Sequence, residues 1–415
     1  MEELDRPPPP LQPLGLPLYH NQAPGCSPGA TPHTCDGDIE QQPVVLQRLS
    51  EKYDNFSAAF VREAAASGRP FLLYAAFTHV HLPQYAGQAW ANFSSSPFQN
   101  ALAEVDASVG VIMDALEEAG VENNTLVVLT GDNGPWYAAR VWLCVAVCVC
   151  VWLWLWLWLC GCGCRCRCGC VAVAVWLCGC GCRVTVGEVA TLFTRESKCN
   201  LTGSTGPFTG SWQKTHGGGG STGKFTLWEG GHRMAAVARW PGHIEAGSVS
   251  DALVSTMDML PTFAALAGAP LPPGREFDGM DITPVLAGNA TAGHATLFHP
   301  NSGQWGQWGT LDAVRMGKYK TIHLTGGSFD CQDRLGSLGI HDPPLLFDLE
   351  LDPSESTALN TSASPYEEVV ARMLALKAAK LANIAATPHS SANWMQDDSL
   401  EPCCNADLPA CRCGV

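Results

Sequence analysis

With 415 residues, 46% of them hydrophobic, the chain is long enough for one large domain and a smaller one. A formal net charge of −15 argues against a nucleic-acid partner, because no basic surface is there to release counterions. Any cationic site for an anionic ligand must therefore be local.

The opening, Met1 to Arg6 and then Pro7 to Pro10, has the wrong charge for a secretion leader and no apolar segment. The rest reads as extracytoplasmic. Asn-x-Ser/Thr sequons start at Asn55, Asn92, Asn123, Asn200, Asn289 and Asn360, and Cys403-Cys404 with Cys411-x-Cys413 reads as a disulfide knot. The combination predicts a secretory protein lacking its N-terminal part. Residues 1–45 are Pro-rich and expected to be irregular.

The first predicted element is a helix over Ser50–Ser67, with Tyr53, Phe56, Phe60 and Ala64 on its apolar side and Gly68 at C′. Phe71–Phe77 then reads as a buried strand. Ser96-Pro97 offers an N-cap and an N1 proline to a helix whose apolar positions run from Leu102 to Leu116, and Gly120 stops it. Leu126–Thr130 reads as a second buried strand. Strand, helix, strand in this order predicts a parallel βαβ unit, whose ligands bind at the carboxyl ends of the strands. His79 and His81 follow the first strand, and Asp132-Asn133 follow the second.

Those polar residues have two readings each. Asp132-Asn133 is a common strand-end turn, but a carboxylate and an amide oxygen also suit Ca²⁺ or Mg²⁺ better than zinc. Alternation predicts that His79 and His81 share one side of an extended segment, either as loop residues, as a zinc pair lacking a third ligand, or with a lone imidazole placed to protonate a departing oxygen. Lys224, six residues before Gly230-Gly231, is either a loop lysine or a positive charge brought to the same place.

Residues 141–182 are low complexity, with Trp-Leu repeated over 152–159 and Cys-Gly and Val-Ala repeats around it. The DNA hexamer GTGGCT encodes Val-Ala, Trp-Leu and Gly-Cys in its three frames, so the stretch reads as translated non-coding DNA. The rival readings are a membrane span over 141–164 and a Cys-rich metal site. Beyond Lys224 a strand is predicted over 234–240 and a helix over Asp251–Ala267. Leu311–Arg315 and Lys318–Thr325 form a hairpin turning at Met316-Gly317, Leu345–Leu349 adds a strand, and Pro365–Ile384 a helix. These last elements make a smaller α+β domain.

Taken together, Arg69-Pro-Phe-Leu-Leu-Tyr74, His79-Val-His81, Thr130-Gly-Asp-Asn-Gly-Pro-Trp136, Gly206-Pro-Phe-Thr-Gly-Ser-Trp-Gln213, Trp228-Glu-Gly-Gly-His-Arg233, Phe277-Asp-Gly-Met-Asp281 and Phe298-His-Pro-Asn-Ser-Gly303 resemble the arylsulfatase family across residues 15–137 and 198–415. The resemblance implies an α/β, alkaline-phosphatase-like mixed sheet with flanking helices, present in part over 46–137 and 198–285. It also implies a C-terminal α+β subdomain over 286–415, with 138–197 as an insertion. It implies sulfate-ester hydrolysis on a sulfated small molecule or glycan, in the lysosome or outside the cell. One Ca²⁺ ion would be held by Asp132 and Asn133. Lys224 would bind the sulfate, and His81 would contact it and help the alcohol leave.

Departures accompany the matches. The C-x-P-S-R motif, whose cysteine becomes the formylglycine nucleophile, is absent; Cys26-Ser-Pro28 continues Gly29-Ala30. The family's first metal-binding Asp pair is also missing, since the only Asp-Asp is Asp397-Asp398. The expectation is a sulfatase with little or no activity as written, and a formylglycine-generating enzyme would be a partner only if the missing part were restored. A non-catalytic glycoprotein that binds sulfated glycans and a phosphodiesterase of the same superfamily are the alternatives.

Overall fold

The structure, a computed structural model, describes residues 18–20, 38–41, 44–135, 203–302 and 308–387. The insertion at 138–197, the membrane reading of 141–164, Cys26, Asp397-Asp398 and the Cys-rich tail lie outside the described residues.

Two short strands, β1 (Leu18–His20) and β2 (Asp38–Gln41), pair antiparallel within the stretch expected to be irregular. Helix α1 (Leu49–Ala66) ends as expected, with Gly68 at φ +67 just past its C-cap. Helix α2 (Pro97–Glu118) starts at Ser96, whose hydroxyl accepts from the Gln99 amide. The helices meet through Ala58, Val61, Ala115 and Leu116, and Phe71, Leu73 and Val127 pack on the same cluster.

The expected parallel βαβ unit is not observed among the described residues. Residues 71–77 carry no strand pairing, and β3 (Val127–Thr130) pairs only with β4 (Ala236–Arg239), antiparallel. A parallel ladder needs neighbouring strands to close its hydrogen bonds, and none of the described strands bridges 71–77 to β3. Side chains of 71–77 still alternate: Phe71 and Leu73 face the helices, while Leu72 and Tyr74 are exposed. Neither segment is buried as predicted, since Leu129 is also exposed.

Helices α3 (Ser211–Thr215) and α4 (Glu229–His232) are single turns. The helix expected over Asp251–Ala267 is shorter, a 3₁₀ turn at Thr256–Asp258 running into α5 (Met259–Leu266). Ser255 and Asp258 form a capping box there, which fixes the start. Helix α6 (Thr283–Leu286) precedes the C-terminal sheet.

That sheet is antiparallel and four-stranded, in the order β5 (Thr296–Ser302), β6 (Trp308–Met316), β7 (Tyr319–Thr325), β8 (Gly339–Asp348). The hairpin is confirmed, with Met316 opposite Tyr319 and Gly317 at φ +56 in the turn. Strand β5 escaped sequence reading because Pro300 interrupts its pattern, and its register shifts there. Both faces are covered. Val314 and Leu346 pack against Val370 and Met373 of α7 (Tyr366–Ala386). Their neighbours Ala313 and Phe347 face the other way, onto Leu227 and Trp228. The C-terminal sheet is thus the floor on which the 222–232 turn sits.

Candidate functional site

Two distant segments are stitched together beside this floor. The Gly134 amide donates to the Gly231 carbonyl at 2.9 Å, and the Lys224 amide donates to the Pro135 carbonyl at 2.8 Å. The approach is too close for a side chain, since a Cβ at Gly134 would lie 1.9 Å from the Gly230 oxygen. These contacts bring the end of β3 and the Lys224 turn to one pocket of about 300 Å³, lined by Asn133, Lys224, Phe225, His232, His299 and Pro300, among others.

Asp132 is exposed at the strand end, and its Oδ1 accepts from the Asn133 amide at 2.8 Å. Asn133 Nδ2 donates to the Gly134 carbonyl at 2.9 Å, which leaves its Oδ1 as an acceptor. Lys224 is half-buried and makes no salt bridge among the described residues. Its ammonium lies 5.4 Å from the Phe225 ring centroid. An unpaired cation in a pocket wall is suited to an anionic ligand.

His79 and His81 do not share a side. His79 is buried, with Nε2 2.6 Å from Glu104 Oε2 and 3.3 Å from Ser50 Oγ, so it anchors its loop to α1 and α2. His81 is exposed, and its Nδ1 lies 2.7 Å from the Leu82 carbonyl oxygen, to which it donates. It does not line the Lys224 pocket. The cause is that the chain turns after Thr78, where the His81 amide reaches the Thr78 carbonyl, so extended alternation stops before the pair. Among the described residues no group of three His, Cys, Asp or Glu is placed to hold a metal, so no zinc pair is completed.

Sequence reading passed over His299, Phe225 and the group beneath them. His232 and His299 stack with centroids 4.0 Å apart and planes inclined by 19°. The protein around them, and then Lys320, lowers the His232 pKa. Burial, then His232 and Lys320, hold His299 well below the usual histidine range. Both rings are therefore neutral near pH 7. Below them Lys320, fully buried, lies 3.0 Å from Glu229 Oε1 and 2.9 Å from Glu355 Oε1, the latter contact poorly aligned for a hydrogen bond. Arg315 reaches Glu229 at 3.2 Å, and Arg233 and His232 pair with the same carboxylate. Burial raises the Glu229 pKa, but Lys320, His232 and Arg315 outweigh it and hold the group well below its usual range. Burial pushes Glu355 up to about 7, against the pull of Lys320. The Glu229 amide also donates to Glu355 Oε2 at 2.7 Å, which ties the turn to the C-terminal sheet.

The donor types at Asp132 and Asn133 fit a hard divalent cation, but two side chains fall short of the six to eight oxygens calcium takes. No helix among the described residues is long and apolar enough to cross a membrane. Cys331 is disulfide-bonded to a partner outside the described residues.

The sulfatase family model matches residues 30–269, and the model of the C-terminal region of aryl-sulfatase matches residues 292–413. Arylsulfatase G of Rattus norvegicus is 37% identical over 401 residues, covering 96% of this chain and 62% of that protein. Arylsulfatase A of Homo sapiens is 32% identical over 431 residues, covering 96% of this chain and 70% of its own length. Among solved structures, the PsFucS1 sulfatase from Pseudoalteromonas sp. superposes with a TM-score of 0.59 at 22% identity, covering 83% of this chain and 55% of that one. The chain spans about three fifths of the length of the arylsulfatase G relatives it matches. With both family models in chain order and the fold shared, the chain belongs to the sulfatase family.

Proposed function

We propose that this chain carries the sulfate-recognising part of an arylsulfatase-type sulfuric ester hydrolase, acting on a sulfated small molecule or glycan. The observation that carries the reading is Lys224, a cation without a salt-bridge partner among the described residues, in one pocket with Asn133 at a strand end. Lys224 binds the sulfate oxygens by charge-assisted hydrogen bonds. Asp132 and Asn133 would hold Ca²⁺, whose charge would stabilise those same oxygens. His81 keeps Nε2 free of a protein partner among the described residues, and its role would be to approach the ester and protonate the departing alcohol. That role requires the His81 loop to lie nearer the pocket than it does here.

No C-x-P-S-R cysteine occurs in these 415 residues, so the covalent step has no nucleophile. The polypeptide as written recognises a sulfate ester without turning it over. Calorimetric titration with sodium sulfate tests this. Binding is expected in the wild type, and Lys224→Ala should weaken it by about ten-fold or more, the worth of a charged hydrogen bond. Equal affinity in the variant would remove the sulfate reading. A 4-nitrocatechol sulfate assay should show no turnover by the chain alone.

A non-catalytic glycoprotein that binds sulfated glycans is the second reading, and glycosylation belongs to both. The five sequon asparagines among the described residues, Asn55, Asn92, Asn123, Asn289 and Asn360, are all exposed and open to glycosylation. A lysosomal or extracellular location is part of either reading.

A further inference from the structure

We propose that Phe225 is the specificity-determining residue of this pocket, its ring forming a platform for the organic part of a sulfate ester, so that esters of aromatic or sugar-ring alcohols are preferred. The inference rests on the sulfate reading of Lys224 and deepens it.

Backbone conformation is the first observation. Phe225 adopts φ +69, a left-handed conformation shared with only Asp333 and Glu355 among the described non-glycine residues. A bulky side chain is disfavoured there, and such outliers concentrate at ligand-contacting positions. Burial is the second. Leu227 and Trp228, two and three residues on, are 3% and 1% exposed, yet Phe225 is left 38% exposed. The strained backbone therefore turns a large apolar ring outward, not into the core.

The surroundings say what the ring faces. Lys224 Nζ stands 5.4 Å from the Phe225 centroid, within cation–π reach, so ring and cation act together. A sulfate held at Nζ would carry its alcohol, one ester oxygen away, over the ring. Across the pocket the stacked His232–His299 pair and Pro300 offer further flat or apolar surface. A volume of about 300 Å³ has room for a single ring with its sulfate.

The test uses the full chain, wild type and Phe225→Gly, titrated calorimetrically with methyl sulfate and phenyl sulfate. Glycine accepts φ +69, so the variant should keep the wild-type melting temperature. Wild type should bind phenyl sulfate about five-fold more tightly than methyl sulfate, and the variant should bring that ratio close to about one. An unchanged ratio with methyl sulfate still bound overturns the role of Phe225 and leaves the sulfate reading standing. A marked fall in melting temperature for Phe225→Gly shows a structural ring and overturns the proposal too. Failure of the wild type to bind either ester overturns the sulfate reading itself.

Discussion

Gly134 shows how little room the site leaves at the scale of one residue. Its missing Cβ lets the β3 end lie against Gly230, and a methyl group there would meet the Gly230 oxygen at 1.9 Å. Gly134→Ala should destabilise the fold by about 2–4 kcal/mol, because a rigid backbone atom must move. Urea denaturation would read the change, and a cost under about 0.5 kcal/mol would mean the two segments are not held together as described. His323 on β7 supplies a pH dependence. Burial, and then the charge of Lys377, lower its pKa from 6.5 to about 4. Between those values the unfolded chain takes up a proton that the folded one refuses, so stability is complete above about 6.5 and is lost as pH falls through about 4. His323→Gln should narrow the gap between melting temperatures at pH 7 and pH 4.5. An unaltered gap would show that other groups govern the acid response.

Among elements, the decisive join is between the α4 turn and the C-terminal sheet. Lys320 of β7 is fully buried between Glu229 and Glu355, so its charge is not screened by solvent. Lys320→Met would leave buried Glu355 without its cation beside Glu229, which keeps only Arg315 and Arg233, and a loss of about 3–5 kcal/mol is expected in chemical denaturation. The exposed Arg334–Asp330 pair is the control. Its arginine side chain is 71% exposed, so Arg334→Ala should cost no more than about 1 kcal/mol. Equal costs for the two variants would refute the view that the buried lysine clamps the turn carrying Lys224. The Trp228 ring, centred 5.7 Å from that of Phe347 in an edge-on contact, adds an apolar support beside the same clamp.

For the whole molecule, Asp132 and Asn133 are the two proposed metal donors, and among the described residues no group of three His, Cys, Asp or Glu is placed to hold an ion. Two donors, one of them already accepting the Asn133 amide, should bind calcium with a dissociation constant at or above about 10⁻³ M. Calorimetric titration of the full chain checks this, and a tight saturable site would show that further ligands come from elsewhere in the chain. The helices α1, α2 and α7 were legible in advance because apolar spacing, the Ser96 cap and the stops at Gly68 and Gly120 are local signals. Strand 71–77 was misjudged for the opposite reason: its apolar run is local, but a ladder depends on partners that no local pattern reveals. Local patterns along the chain therefore supplied helices α1, α2 and α7, the hairpin and the candidates Asp132, Asn133 and Lys224, while the family came from the resemblance of its motifs. Only the tertiary structure decided that Asn133 and Lys224 share a pocket, that His79 is a buried anchor and His81 stands apart, and that Phe225, His232 and His299 form the walls. Backbone hydrogen bonds and buried charge pairs between distant segments set those relations, and no spacing along the chain encodes them.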